Sequence, residues 1–318
     1  MLLRRLVLLA AAFASVLAAT AQAAPVGSLK QYKVPTANSE PRAITNGADG
    51  NRWFTLGTTF TNAPPAIARI TPGGAVTEFR PPCTDCIVTD IVQGPGGVLY
   101  YSSNDPALGR ITTAGAFLPA IPTPNSNALA GSLAVHGTDV WMTDFNNDAL
   151  WRYDTVGGQF TRFDVPEPSD LVIDAAGIAW FSAPQESAIG RLDPATGAVT
   201  LTPTSLIPRA LAIAADGRIW FTARFTPQGV GRLDPATGDL TEFPLANVGP
   251  EDIAAAPDGS VWFTQTTKGN AARITNDGTI TETKVVKGSQ PFGITVEPDG
   301  DPWYTLFAAD RIAEFQLR

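Results

Sequence analysis

The chain has 318 residues, a formal net charge of −8, 44% hydrophobic residues, 29 glycines and 27 prolines. An acidic surface repels phosphate backbones and argues against a nucleic-acid partner. So much glycine and proline beside so large an apolar share separates a turn-rich β protein from a disordered one.

The first expected element is a leader. Met1-Leu2-Leu3-Arg4-Arg5 is basic, residues 6–19 are apolar, and Ala21-Gln22-Ala23 has the small-x-small form of a signal-peptidase site, so cleavage is expected after Ala23. Nothing later approaches about 18 consecutive apolar residues, so no membrane span is expected after cleavage. Residues 24–318 are read as one domain, monomeric and either secreted or periplasmic.

Next, Leu29-Lys30-Gln31-Tyr32-Lys33-Val34-Pro35 has the pattern of an outer strand that precedes any complete repeat. After it come seven aromatic anchors, each ending in a small hydroxyl residue: Trp53-Phe54-Thr55, Tyr100-Tyr101-Ser102, Trp141-Met142-Thr143, Trp180-Phe181-Ser182, Trp220-Phe221-Thr222, Trp262-Phe263-Thr264 and Trp303-Tyr304-Thr305. They recur at about 40 residues, the period of propeller blades or helical arrays, and the glycine and proline exclude the latter. Arginines follow the anchors at Arg69, Arg110, Arg152, Arg191, Arg232, Arg273 and Arg311, and outer strands read Thr-Glu-Phe or Thr-Arg-Phe at Phe79, Phe163 and Phe243. Asp-Gly pairs such as Asp49-Gly50 and Asp216-Gly217 precede anchors and supply the positive φ of tight hairpins.

These signals predict an all-β, seven-bladed propeller with four antiparallel strands per blade. The last unit ends too soon for its own outer strand, so the segment at Leu29–Pro35 is expected to close the ring beside residues 311–315. Closure of this kind leaves no long sheet edge. One anchor and one arginine per blade suit a structural role for both series.

Between the first two blades lies Cys83-Thr84-Asp85-Cys86. Two cysteines alone do not make a zinc site, and in an oxidising compartment a local disulfide is expected, worth about 2 kcal/mol for so short a loop. His136 falls on the Asp-Gly-turn side of the ring, away from the expected binding face. A longer loop in the first blade, including Thr58-Thr59-Phe60-Thr61-Asn62-Ala63-Pro64-Pro65, reads as a flap on that face.

Propeller ligands are expected where inner strands begin and where second strands turn into third. Arg42, Asp90, Asp170, Arg209, Glu251 and Asp252 fall at inner-strand starts, and Asp144 and Gln265 follow anchors. Oxygen ligands from Asp90, Asp144, Asp170 and Glu251 would suit calcium or magnesium, and the mixed charge equally suits a small polar ligand carrying both signs. Solvated loop carboxylates bonded to their own turns are the plainer alternative.

The phrase Pro291-Phe292-Gly293-Ile294, followed by Asp299-Gly300 and Trp303-Tyr304-Thr305, resembles the repeat of the streptogramin lyase (virginiamycin B lyase) family, as do Ile189-Gly190-Arg191-Leu192 and Thr241-Glu242-Phe243. The resemblance covers all seven blades. It implies magnesium-assisted elimination that opens cyclic streptogramin B antibiotics at an ester. It also places the family's final-blade histidine on Phe292 in the phrase beginning Gln290, an earlier histidine on Glu251, a glutamate on Phe307 and a tyrosine on Arg42. Loss of a positioned base costs about 10²–10⁴-fold in rate. Three readings follow: a propeller that binds a polar ligand or an extracytoplasmic protein without lyase activity, a metal-dependent lactonase-type hydrolase, or a streptogramin B lyase.

Overall fold

The computed structural model describes residues 14–16, 20–21, 27–57, 63–83, 86–125, 131–284 and 286–318. The chain forms seven four-stranded antiparallel blades. Each blade's innermost strand packs against that of the next, and the strand of blade 7 packs against that of blade 1, so the ring is complete. The inner strands, blade by blade, are Ile44–Asn46, Val88–Gln93, Leu133–His136, Leu171–Ile173, Leu211–Ile213, Pro250–Ala255 and Pro291–Val296.

Blade 7 draws on both ends of the chain. Gly27–Lys33 is its outermost strand, registered along Arg311–Leu317 from Gly27 opposite Leu317 to Lys33 opposite Arg311. Farther upstream, Ala14–Val16 and Thr20–Ala21 run parallel to the outer strands of blades 5 and 6. The rest of the expected leader, including a cut after Ala23, lies outside the described residues, as do Thr58–Asn62 of the expected flap.

The anchors explain the packing. Trp53, Trp141, Trp220, Trp262 and Trp303 are fully buried, as are Phe54, Phe181, Phe221 and Phe263. The first aromatic of an anchor stacks on the outer-strand aromatic of its own blade: Trp53 on Phe79, Trp141 on Phe163, Trp220 on Phe243 and Trp303 on Tyr32. Arg69, Arg152 and Arg232 lie over both rings of their pairs, at 5.5–6.0 Å from the centroids, close enough for cation–π attraction. The second aromatic needs a small neighbour: a Cβ on Gly190 would fall 2.0 Å from the Phe181 ring, and one on Gly231 would fall 2.1 Å from Phe221.

Blade 7 corrects the arginine series. Trp303 is opposite Glu314, and Arg311 is opposite Leu306 at the strand's edge. The cation over Trp303 comes instead from Arg52 of blade 1, at 5.6 Å, which also pairs with Glu297.

The third anchor residue latches neighbouring blades. The hydroxyls of Ser102, Ser182, Thr222, Thr264 and Thr305 donate to the carbonyls of Gly131, Arg209, Glu251, Phe292 and Arg42, each at the start of the next inner strand, at 2.7–2.9 Å. Several also accept an N–H from their own inner strand, as Thr222 does from Ala210 at 3.2 Å and Thr305 from Gly293 at 2.9 Å. Cys83 and Cys86 form a disulfide. Among the described residues, no helix is long and apolar enough to cross a membrane.

Candidate functional site

The latches bring two residues from every blade to one end of the axial channel. They line a cavity of about 260 Å³: Arg42 and Ala43, Thr89 and Asp90, Gly131 and Ser132, Ser169 and Asp170, Arg209 and Ala210, Glu251 and Asp252, Phe292 and Gly293. Six of the eight ligand candidates read from the sequence therefore meet here. Asp144 and Gln265 do not.

Asp144 closes the second strand of blade 3, is fully buried, and accepts from the Asn147 side-chain amide at 2.9 and 3.0 Å and from Trp151 Nε1 at 3.1 Å. It fastens its own loop. Gln265 closes the second strand of blade 6, buried opposite Asn270. Residues at these strand ends follow the anchor hydroxyl and fall into blade interiors, so the spacing rule that found the inner-strand starts failed for them.

Asp90, Asp170 and Asp252 occupy the same position in blades 2, 4 and 6. Each has one oxygen on an N–H of the following blade, Leu133, Leu211 and Ile294 respectively, at 2.7–2.8 Å. Their other oxygens accept from Ile91, the Ser132 hydroxyl and Ile253. The three residues are half-buried and line the cavity. Burial pushes Asp90 and Asp252 up to about 7, against the pull of those N–H groups, and raises Asp170 as well.

The rim is basic on one side. Glu251, 2% exposed, receives Arg209 on one oxygen at 2.5 and 2.8 Å and Arg224 on the other at 2.6 Å. Arg224 was not picked out in the sequence, because it lies one residue beyond the second strand Ile219–Ala223. Its signal was charge: the only arginine directly following an anchor strand. Opposite the trio, Arg42 lies over Phe292 at 5.3 Å and Phe307 at 5.5 Å, and the two rings are 5.7 Å apart. Burial pushes its guanidinium below the ordinary range, opposed by Glu40 and Glu251. The segment carrying it is tied down by Asp310, which accepts from the N–H groups of Asn38 and Ser39 at 2.7 and 2.8 Å.

Gln290 is exposed beside the rim, and its carbonyl accepts from the Phe307 N–H at 3.1 Å. His136, the one histidine, ends the inner strand of blade 3 opposite Asp139, at the far end from the cavity. A second cavity of about 290 Å³ adjoins the first over blades 2 to 4, sharing Thr89, Gly131 and Ser169 and bounded by Ile87, Pro168 and the exposed Phe145.

The metal set expected from the sequence does not assemble. Asp144 is elsewhere, and both Glu251 oxygens hold guanidinium groups. Among the described residues the only trio of potential ligands within 4.8 Å of one another is Cys83, Cys86 and Asp105, whose cysteines are disulfide-bonded. Magnesium takes near-octahedral oxygen coordination, and Phe292 and Phe307 offer it no donor atom. The positions to which the resemblance assigns the magnesium-holding side chains therefore do not fit that ion, and the carboxylates of Asp90, Asp170 and Asp252 do not converge within 4.8 Å of one another.

Comparison with known proteins places this architecture. The virginiamycin B lyase family model matches residues 18–201 and 129–318. Virginiamycin B lyase of Nocardia farcinica is 31% identical over 229 residues, 67% of this chain and 78% of the relative. A solved streptogramin B lyase superposes with a TM-score of 0.82 at 26% identity, covering 92% of this chain and 98% of the other. A catalytically inactive histidine-to-alanine variant of virginiamycin B lyase from Staphylococcus aureus, solved with quinupristin, shares the fold with a TM-score of 0.81 at 24% identity, covering 92% and 100%. Over nearly its whole length, the chain belongs to the virginiamycin B lyase family.

Proposed function

We propose that this protein is an exported propeller that binds a small polar ligand at the channel mouth and has no lyase activity. The observation that carries the reading is that neither position to which the resemblance assigns a histidine base holds one, Phe292 and Glu251 standing there instead. Elimination next to a carbonyl needs a group that takes a proton within hydrogen-bond reach, and in the S. aureus relative replacing one histidine by alanine gives a catalytically inactive protein. Here the only histidine stands at the opposite end of blade 3. Phe292 holds the position to which the resemblance assigns the final-blade base. Glu251, at the other histidine position, is a carboxylate enclosed by Arg209 and Arg224.

The cavity supports binding of a small molecule. It is slightly smaller than the roughly 300–1,000 Å³ of drug-sized ligand sites and carries convergent polar groups on an aromatic wall. Export fits the Cys83–Cys86 disulfide and the leader-like first residues.

The test is incubation of the purified protein with quinupristin, read by mass spectrometry and reversed-phase chromatography for the ring-opened product. No product above the buffer control is expected, with or without magnesium. Enzyme-dependent opening that saturates with substrate would return the protein to the lyases.

A further inference from the structure

Among the described residues Arg42 is the one cation at the mouth with no ion pair, since Glu40 and Glu251 act on it only through space. Arg209 and Arg224 share Glu251, whereas no hydrogen bond or ion pair of the Arg42 guanidinium exists among the described residues, and its Nε is buried without an acceptor. The Phe292 and Phe307 rings hold it in place but satisfy no N–H. A partly desolvated guanidinium with open donors favours a planar, bidentate acceptor, and a carboxylate is the commonest such group.

Below the rim the requirement reverses. Asp90, Asp170 and Asp252 line the same cavity, and they repel one another across the channel. Each carboxylate has two or three protein donors, while an ionised carboxylate offers roughly four lone-pair sites, so acceptor capacity is left in the cavity they line. An ammonium group brings three donors and a positive charge, which meets that capacity and relieves the repulsion. A ligand with only an anion would leave the floor uncompensated, and one with only a cation would leave Arg42 so. The adjoining cavity beside Phe145 shares Thr89, Gly131 and Ser169 with the central one and has a mostly apolar wall.

We infer that the ligand is a zwitterion of the amino-acid class with an apolar side chain, its carboxylate on Arg42, its ammonium toward Asp90, Asp170 and Asp252, and its side chain beside Phe145. The inference rests on the binding function proposed above. Nothing in it requires a reaction; the site is a receptor for a charge pair and an apolar arm.

The experiment is calorimetric titration of the purified protein with L-leucine and three analogues: isocaproate lacks the ammonium, isoamylamine lacks the carboxylate, and glycine lacks the arm. Leucine is expected to bind at one site, with each analogue weaker by about tenfold or more, the factor that the loss of one good contact produces. Arg42→Gln is expected to abolish the preference for leucine over isoamylamine, and Asp170→Asn the preference over isocaproate. Because Asp170 also staples two blades, far-ultraviolet circular dichroism checks the folding of that variant, and the analogue series stands without it. An analogue that binds as tightly as leucine, or the absence of binding by leucine, overturns the inference. Tight binding of isocaproate alone would sink the zwitterion yet keep the binding propeller, whereas opening of quinupristin would remove the binding reading itself.

Discussion

At the scale of single residues, the mouth is governed by one buried acid. Glu251 is almost inaccessible and pairs with two arginines that are each about two-fifths exposed, at 36% and 42%, which leaves the trio one positive charge. Glu251→Gln keeps the shape but removes the charge, leaving Arg209 and Arg224 to repel each other beside a buried amide. The expected loss of stability is about 1–3 kcal/mol, the usual cost of leaving buried polar groups poorly satisfied, and urea denaturation would measure it. An unchanged midpoint would mean that both arginines simply hydrate. Arg42, Asp90, Asp170, Arg209, Glu251 and Asp252 could be placed from the sequence because they begin strands whose register the anchors fix. Asp144 and Gln265 were misplaced because a residue at a strand's end points into the blade or toward the channel according to pleat, which spacing alone does not give. Arg224 stayed hidden although it holds the same repeat position as Phe307, four residues after its anchor tryptophan, because the search stopped at the last residue of each anchor strand.

At the scale of the element, the recurring hydroxyl proves to be the joint between blades. Thr222 is fully buried, donates to Glu251 O at 2.9 Å and accepts from Ala210 N at 3.2 Å. Thr222→Val retains the volume while orphaning both backbone groups. Stability should fall by about 1–3 kcal/mol, again measurable in urea, with leucine titration unaffected in stoichiometry. The repeat was legible because every blade buries an aromatic at the same place in its second strand, and four of them stack it on an aromatic of their own outer strand. What the pattern concealed was register: counting forward from Trp303 reaches Arg311, yet the strand places Glu314 across from the ring, and a neighbouring blade supplies the cation through Arg52. An interface between blades is invisible to any reading that treats each repeat alone.

At the scale of the whole molecule, the channel makes stability depend on pH in an unusual direction. Asp90 and Asp252 stand near 7 because burial disfavours their charge, well above the roughly 3.9 of an unfolded aspartate. The folded state therefore holds more protons between those values, so the stabilisation is complete below the unfolded value and is lost as pH rises through about 7. Surface carboxylates such as Asp154, held low by the Gly157 N–H, and Asp277, held low by the Thr275 hydroxyl, act in the opposite sense at more acid pH. The melting temperature should accordingly be higher near pH 5.5 than near pH 8, by about the reach of these two groups. A double Asp90→Asn, Asp252→Asn variant should flatten that slope, and an unaltered slope would exclude these two carboxylates as its source. The three channel aspartates also pose a problem of parity. They occupy alternate blades, and an odd ring cannot alternate all the way round. Blades 7 and 1 are left side by side without one, where a Cβ on Gly293 would stand 2.2 Å from the Arg42 carbonyl. That single break in the alternation is where Phe292, Phe307 and Arg42 gather, so a nearly sevenfold opening acquires a front and a back.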